Sequence, residues 1–206
     1  MEHKHIHWLG HASFRIEDGS LQIYIDPWKL PANSPKADII LITHAHYDHF
    51  SLDDINQVKK DTTLFFAPND VAPKLKGSKA VMPDGKYAAG EISLNTVPAY
   101  NLGKEFHPKK NKWVGYIMTL SSGQRIYHSG DTDAIPEMRS VSTDVALLPC
   151  GGTYTMAAKE AGEMANIFKP SLVIPMHWGD IVGSKQDAEE VKRIFKGETM
   201  IKSPER

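Results

Sequence analysis

The sequence predicts an α/β fold dominated by strands, and three observations predict it. Two pairs of alternating apolar runs are joined by turn residues, at Asp18-Gly19 and at Ser121-Ser122-Gly123-Gln124. Short, wholly apolar runs such as Ile39-Ile40-Leu41-Ile42 pass directly into clusters of His and Asp. Runs with helical spacing follow strands in both halves of the chain.

Bulk properties set the frame. The 206 residues are 41% hydrophobic and 24% charged, which predicts one domain over 1–206 with a full core. A net charge of -1 lacks the basic excess of a nucleic-acid binder. The single cysteine, Cys150, excludes an internal disulfide and a cysteine-rich zinc cluster. Met1-Glu2-His3-Lys4-His5 is not an apolar signal segment, and no run approaches the ~20 apolar residues of a membrane span. The expectation is a cytoplasmic protein acting on a small-molecule or anionic substrate.

Taken in order, His3, His5 and His7 alternate along a first strand and share one face, which reads as half-solvated, with metal binding the alternative. Residues 12–17 and 21–25 form the first hairpin, which Asp26-Pro27 ends, because proline cannot donate to a central ladder. Residues 29–37, with Pro31, Asn33, Ser34 and Pro35, read as a loop, and 38–43 as a buried strand. Ser51 is placed to cap a helix to about residue 60, with Asp54 near its positive end and Leu52, Ile55 and Val58 inward. A strand at 62–66 stops at Pro68, a short helix follows at 69–75, and strands follow at 79–82 and 91–97. A basic loop then carries Lys104, His107, Lys109, Lys110 and Lys112. Residues 113–120 and 125–128 form the second hairpin, and 134–139 a helical turn. A strand at 144–149 leads to a helix at 157–168, ended by Pro170. A strand at 171–175, a helix at 185–196 and an edge strand at 199–202 complete the chain.

The chemistry lies at the strand ends. His44-Ala45-His46-Tyr47-Asp48-His49 puts three imidazoles and a carboxylate within six residues, a donor set that suits zinc and related ions. Adjacent Asp48 and His49 cannot readily face the ion that His44 and His46 face, so the spacing points to two ions. Asp131 and His177 also follow apolar strands, and a sheet gathers such ends at one edge. Asp131 suits a bridging carboxylate and His177 a terminal ligand.

These motifs resemble those of the metallo-β-lactamase-fold hydrolase superfamily. Residues 44–49 match its His-x-His-x-Asp-His signature, Ser129-Gly130-Asp131-Thr132 its bridging aspartate and Pro175-Met176-His177 its closing histidine. Gly10-His11-Ala12-Ser13-Phe14 and Ile25-Asp26-Pro27 resemble the branch with an ascorbate-phosphate lactonase and N-acyl-phosphatidylethanolamine phospholipase D. The resemblance implies a four-layer αββα sandwich of two mixed β-sheets flanked by helices. It implies two divalent ions, zinc first, with manganese, iron or nickel as the others. His44 and His46 would hold one ion, Asp48, His49 and His177 the second, and Asp131 would bridge. The first ion normally takes a third histidine where this chain has Tyr100-Asn101, so His107 or Tyr100 is left to complete it.

The implied reaction is hydrolysis of an ester, lactone or phosphodiester by metal-activated hydroxide, with Asp48 orienting it. His11, Tyr100, Lys104, Lys109 and Lys110 are candidates to stabilise developing negative charge. For His11, ordering the hairpin turn is the alternative; for Asp26, bonding a histidine stands against capping a turn. His128 reads as a buried support and Cys150 as a packed residue. Trp178, Tyr47 and Phe50 belong either to a pocket or to the core. A redox di-iron protein and a metal-stabilised scaffold are the rival readings; His46, where the di-iron pattern has glutamate, weighs against the first.

Overall fold

A computed structural model describes residues 3–206; Met1 and Glu2, which the reading of the amino-terminal segment includes, lie outside the described residues. The first sheet holds β1 (Ile6–Gly10), β2 (Ser13–Asp18), β3 (Leu21–Ile25), β4 (Ile39–Leu41), β5 (Leu64–Pro68) and β6 (Lys79–Val81), side by side in that order. Its first three strands are antiparallel and the rest parallel. The second sheet holds β7 (Lys86–Ala89), β8 (Ile92–Pro98), β9 (Val114–Thr119), β10 (Arg125–His128), β11 (Val145–Pro149), β12 (Leu172–Met176) and β13 (Glu198–Thr199) in continuous order. Here β7 to β10 are antiparallel and β10 to β13 parallel. Both sheets are therefore mixed.

The sheets face each other over one apolar layer. Trp8, Phe14, Ile23 and Leu41 from the first meet Leu94, Tyr116, Leu147 and Ile174 from the second, all fully buried. The outer face of the first sheet, with Tyr24, Ile40 and Ile42, is covered by α1 (Leu52–Val58). The outer face of the second, with Tyr127, Ala146 and Val173, is covered by α2 (Ala158–Phe168) and α3 (Lys185–Ile194). Burial of both faces explains why β4, β11 and β12 read as unbroken apolar runs rather than alternating ones. The result is the αββα sandwich.

Local chemistry sets the helix ends. Ser51 Oγ accepts the Asp54 N–H at 3.3 Å. Glu160 accepts the Ala157 N–H at 2.8 Å, and Asp187 the Ser184 N–H at 2.7 Å. Four details differ from expectation. Leu52 is 47% exposed, so the inward face of α1 is Ile55 and Val58 alone. The Asp54 carboxylate also turns outward to accept the Lys29 and Leu30 N–H groups, fixing the loop before β4. The segment at 69–75 forms only a 3-10 turn, Ala72–Lys74, which Pro73 permits at its start. The strand β7 escaped sequence reading because Lys86-Tyr87-Ala88-Ala89 has no apolar alternation; it is an edge strand held by β8.

Topology brings the parallel strands' carboxyl ends together. Ile25 pairs with Leu41, so Asp26 and Thr43 leave adjacent strands beside each other. Val114 N–H donates to Thr43 O at 3.2 Å, tying the first sheet's edge to the second.

Candidate metal centre

Eight side chains converge at this shared edge: His11, His44, His46, Asp48, His49, His107, Asp131 and His177. His44, His46 and His107 bring one ligand atom each within 4.8 Å of one another, and so do His11, Asp48, His49 and His177. Asp131 Oδ2 lies between the sets. It is 3.0 Å from His177 Nε2, 3.3 Å from His107 Nε2, 3.4 Å from His49 Nε2 and 4.0 Å from His44 Nε2. All these residues are buried except His46, which is half-buried.

Backbone conformation aims them. His11, Asp26 and His177 have φ of 52°, 47° and 59°, the left-handed region that costs a residue with a Cβ about 1 kcal/mol or more. His177 N–H and Trp8 Nε1–H both donate to His11 O, at 2.8 and 2.9 Å, which locks two of these turns together. Gly130 has φ of 64°, and a Cβ there would sit 3.0 Å from Val114 O and 3.2 Å from Thr43 Cβ. Gly130→Ala is therefore expected to destabilise the fold by about 1–3 kcal/mol and displace Asp131, read as a lower urea midpoint with weaker metal binding.

One buried carboxylate orients histidines of both sets. Asp26 Oδ2 accepts His49 Nδ1–H at 2.7 Å and Thr43 Oγ1–H at 2.6 Å, while its Oδ1 accepts Thr43 N–H at 2.8 Å. Thr43 Oγ1 in turn accepts His44 Nδ1–H at 2.9 Å. Each ring thus keeps its Nε2 for the centre. Asn101 does the same for His107, accepting Nδ1–H at 3.0 Å and the backbone N–H at 2.9 Å. Beneath, His128 accepts Gly130 N–H at Nδ1 (3.1 Å) and donates Nε2–H to Ala12 O (2.9 Å), joining the Asp131 turn to the His11 turn.

The electrostatics suit cation binding. Burial lowers the pKa of His44, followed by repulsion from His49, so the ring is neutral with a free lone pair at pH 7. Burial and His107 lower that of His46 likewise. Burial alone would raise Asp131, but His177 and His49 hold it well below the usual carboxylate range. Burial would also raise Asp48, yet the His11 hydrogen bond (2.9 Å) and His49 bring it to about 2. Its pKa lies below the ordinary value, so in metal-free protein Asp48 contributes stability above about pH 4 that is lost as pH falls towards 2. Asp48→Asn should flatten that part of an acid unfolding titration.

The donor set passes a direct test of fit. His11 Nδ1, His49 Nε2, His107 Nε2, Asp131 Oδ1 and both nitrogens of His177 are buried without a hydrogen-bond partner. Buried polar atoms are rarely orphaned, and each would cost about 1–3 kcal/mol. Most belong to one imidazole-rich cluster, which is the donor chemistry of a divalent transition metal.

His107 reaches back into the cluster, whereas Tyr100 does not. The Tyr100 hydroxyl is committed to Glu137 at 3.0 Å, with Lys109 at 3.2 Å, which corrects its candidacy as a catalytic group. Lys104 is held by Asp133 Oδ1 and Thr155 O, both at 2.7 Å, and Lys109 by Glu137 at 2.9 Å. These lysines brace the loop instead of facing the centre. Among the other candidates, Tyr47 opens onto the site, Phe50 packs against the layer under α1, and Trp178 packs at a tilt against Trp8, ring centroids 4.7 Å apart. His5 pairs with Gln124 and His7 with Glu205, outside the cluster. Cys150 is buried, which pushes its thiol pKa up and leaves it unreactive at neutral pH. Thr43 and Asn101 carried no signal of their orienting roles, since a lone Thr or Asn has no diagnostic spacing. No helix among the described residues is long and apolar enough to cross a membrane.

Comparison with known proteins shows the family and the fold. Residues 5–177 match the beta-lactamase superfamily domain. A UPF0173 metal-dependent hydrolase of Pyrococcus furiosus is 35% identical over 96% of this chain and 95% of its own. A crystal structure from Parabacteroides distasonis superposes with a TM-score of 0.86 at 32% identity, over 96% of this chain and 91% of that one. The metallo-beta-lactamase fold protein YhfI of Bacillus subtilis shares the fold, with a TM-score of 0.74 at 14% identity over 97% and 96%.

Proposed function

The chain belongs to the beta-lactamase superfamily and is a metal-dependent hydrolase of that fold; from that premise we propose that it cleaves an ester, lactone or phosphodiester bond at a dinuclear centre. The observation that carries the proposal is the pair of ligand groups on either side of Asp131 Oδ2. His44, His46 and His107 would hold one ion, Asp48, His49 and His177 the second, and Asp131 would span both. Zinc fits this nitrogen-rich set best, with manganese, iron and nickel the nearest rivals. Bound divalent ions supply Lewis acidity and lower the pKa of water to ≈ 7.

The chain's own residues do the rest. Asp48 is kept ionised and is held by His11, so it can orient water and accept its proton. His11 is a positioning residue in this scheme. Asp26 and Asn101 fix the ring tautomers. The arrival of His107 favours a catalytic over a scaffold role, because it completes three histidines around the first position. The single cysteine supports a cytoplasmic location, and one continuous core between the sheets supports one domain over 1–206.

His107→Ala is expected to lower bound metal from two ions per chain to one, measured by elemental analysis after dialysis, and to reduce kcat/KM by about 100-fold. The overall reading is tested by turnover of carboxylic ester, lactone and phosphodiester substrates before and after chelation. Activity that persists without metal would refute it.

A further inference from the structure

The entrance of the centre has a chemistry of its own. Above His46, His107 and His177 lies a cavity of about 240 Å³ walled by Tyr47, Phe106, Tyr154 and Ile181. That is below the ~300–1,000 Å³ of sites for drug-sized ligands, so the group seated in it is small. Tyr47 is 68% exposed, Phe106 46% and Ile181 38%, so the wall presents apolar surface to whatever enters. The aromatic groups are braced in pairs: Phe106 meets Tyr154 edge-on at 4.8 Å, and Tyr47 meets Trp28 at 6.2 Å.

Positive charge is withheld from this wall. No Lys or Arg lies among the described residues lining the cavity. Lys104 is spent on Asp133 and Thr155 O, and Lys109 on Glu137. Lys29 lies over Trp28 and pairs with Asp180 at 3.0 Å. A substrate carrying a second anionic group beyond the scissile bond would find no partner there, and burying that group unpaired is costly.

We infer that the substrate is a small uncharged carboxylic ester or lactone whose acyl chain is apolar and lies against Tyr47, Phe106 and Ile181. This rests on the hydrolase reading above. Hydrolysis would break the acyl C–O bond, with water's hydroxyl going to the acyl carbon and its proton to the leaving alkoxide.

Ligand-observed NMR titrations with neutral amides test the preference without turnover. Each fully buried methylene is worth about fourfold in affinity. Hexanamide should therefore bind at least about tenfold tighter than acetamide, and adipic acid monoamide, its carboxylate-ended counterpart, at least about tenfold weaker than hexanamide. Phe106→Ala and Tyr47→Ala should each compress the hexanamide-to-acetamide ratio to about threefold or less. A flat amide series, equal binding of the carboxylate-ended amide, or a ratio unchanged in both variants would overturn the inference. Metal-loaded protein is assayed in parallel with p-nitrophenyl hexanoate. Absent turnover beside an intact amide series would overturn the hydrolase reading; turnover beside a flat series would overturn the apolar preference alone.

Discussion

Asp131→Ala is expected to lower kcat/KM by about 1,000-fold or more, equivalent to about 4 kcal/mol of transition-state stabilisation. It should also weaken both ion sites together. The reason is position: one carboxylate oxygen stands 3.0–4.0 Å from Nε2 of His177, His107, His49 and His44, which come from both ligand groups. Losing a terminal ligand removes one arm of one site; losing Asp131 removes an arm of each. The check is a zinc titration of the metal-free variant followed by calorimetry. Two independent weak sites, or none, are expected, whereas one wild-type site beside one lost site would contradict the bridging position.

Asp26→Asn is expected to have the second largest effect while leaving the fold nearly intact. Asparagine tolerates the φ of 47° at this position and fills the same volume. Its amide nitrogen, however, presents hydrogens where Asp26 Oδ2 accepts from His49 and Thr43. Two donors would then face each other at His49 Nδ1. The ring escapes by moving its proton to Nε2, which points at the centre and can no longer bind a cation. Loss of an orienting partner costs about 10–100-fold in metal affinity, and here the wrong tautomer pushes towards the upper figure. The thermal midpoint of the metal-free protein should fall by only a few degrees, about 1–2 kcal/mol. His49 ring ¹⁵N shifts report the tautomer directly. An unchanged tautomer with unchanged affinity would show that Asp26 merely ends β3.

The contrast between these residues explains what was legible in the sequence. Residues 44–49 announce themselves because the ligands are adjacent along the chain. Asp131 and His177 are readable because each follows an apolar strand, and strand ends converge. His107 was harder. It sits nine residues past the end of β8, in a loop whose path depends on Asn101, Asp133 and Lys104 bonding across to other turns. Tyr100, nearer the strand end, turns away because Glu137 offers its hydroxyl a partner on the opposite side. No spacing rule encodes that choice. The hairpins and buried strands follow from alternation and apolar runs, while β7 carries no such signal because pairing with β8, rather than its own pattern, makes it a strand. The walls at Tyr47, Phe106 and Ile181 likewise carry no motif; they are found only once the loops that bear them meet.

Metal content under controlled reconstitution decides whether the centre holds two ions that drive hydrolysis. Metal-free protein is titrated with zinc by isothermal calorimetry, the bound metal is counted after dialysis, and ester turnover is followed at each step. Two ions per chain are expected, with protons released as histidine nitrogens such as His49 Nε2 are vacated, and turnover that appears with occupancy and disappears with chelator. A single ion per chain at full turnover, or turnover indifferent to chelation, would contradict that expectation.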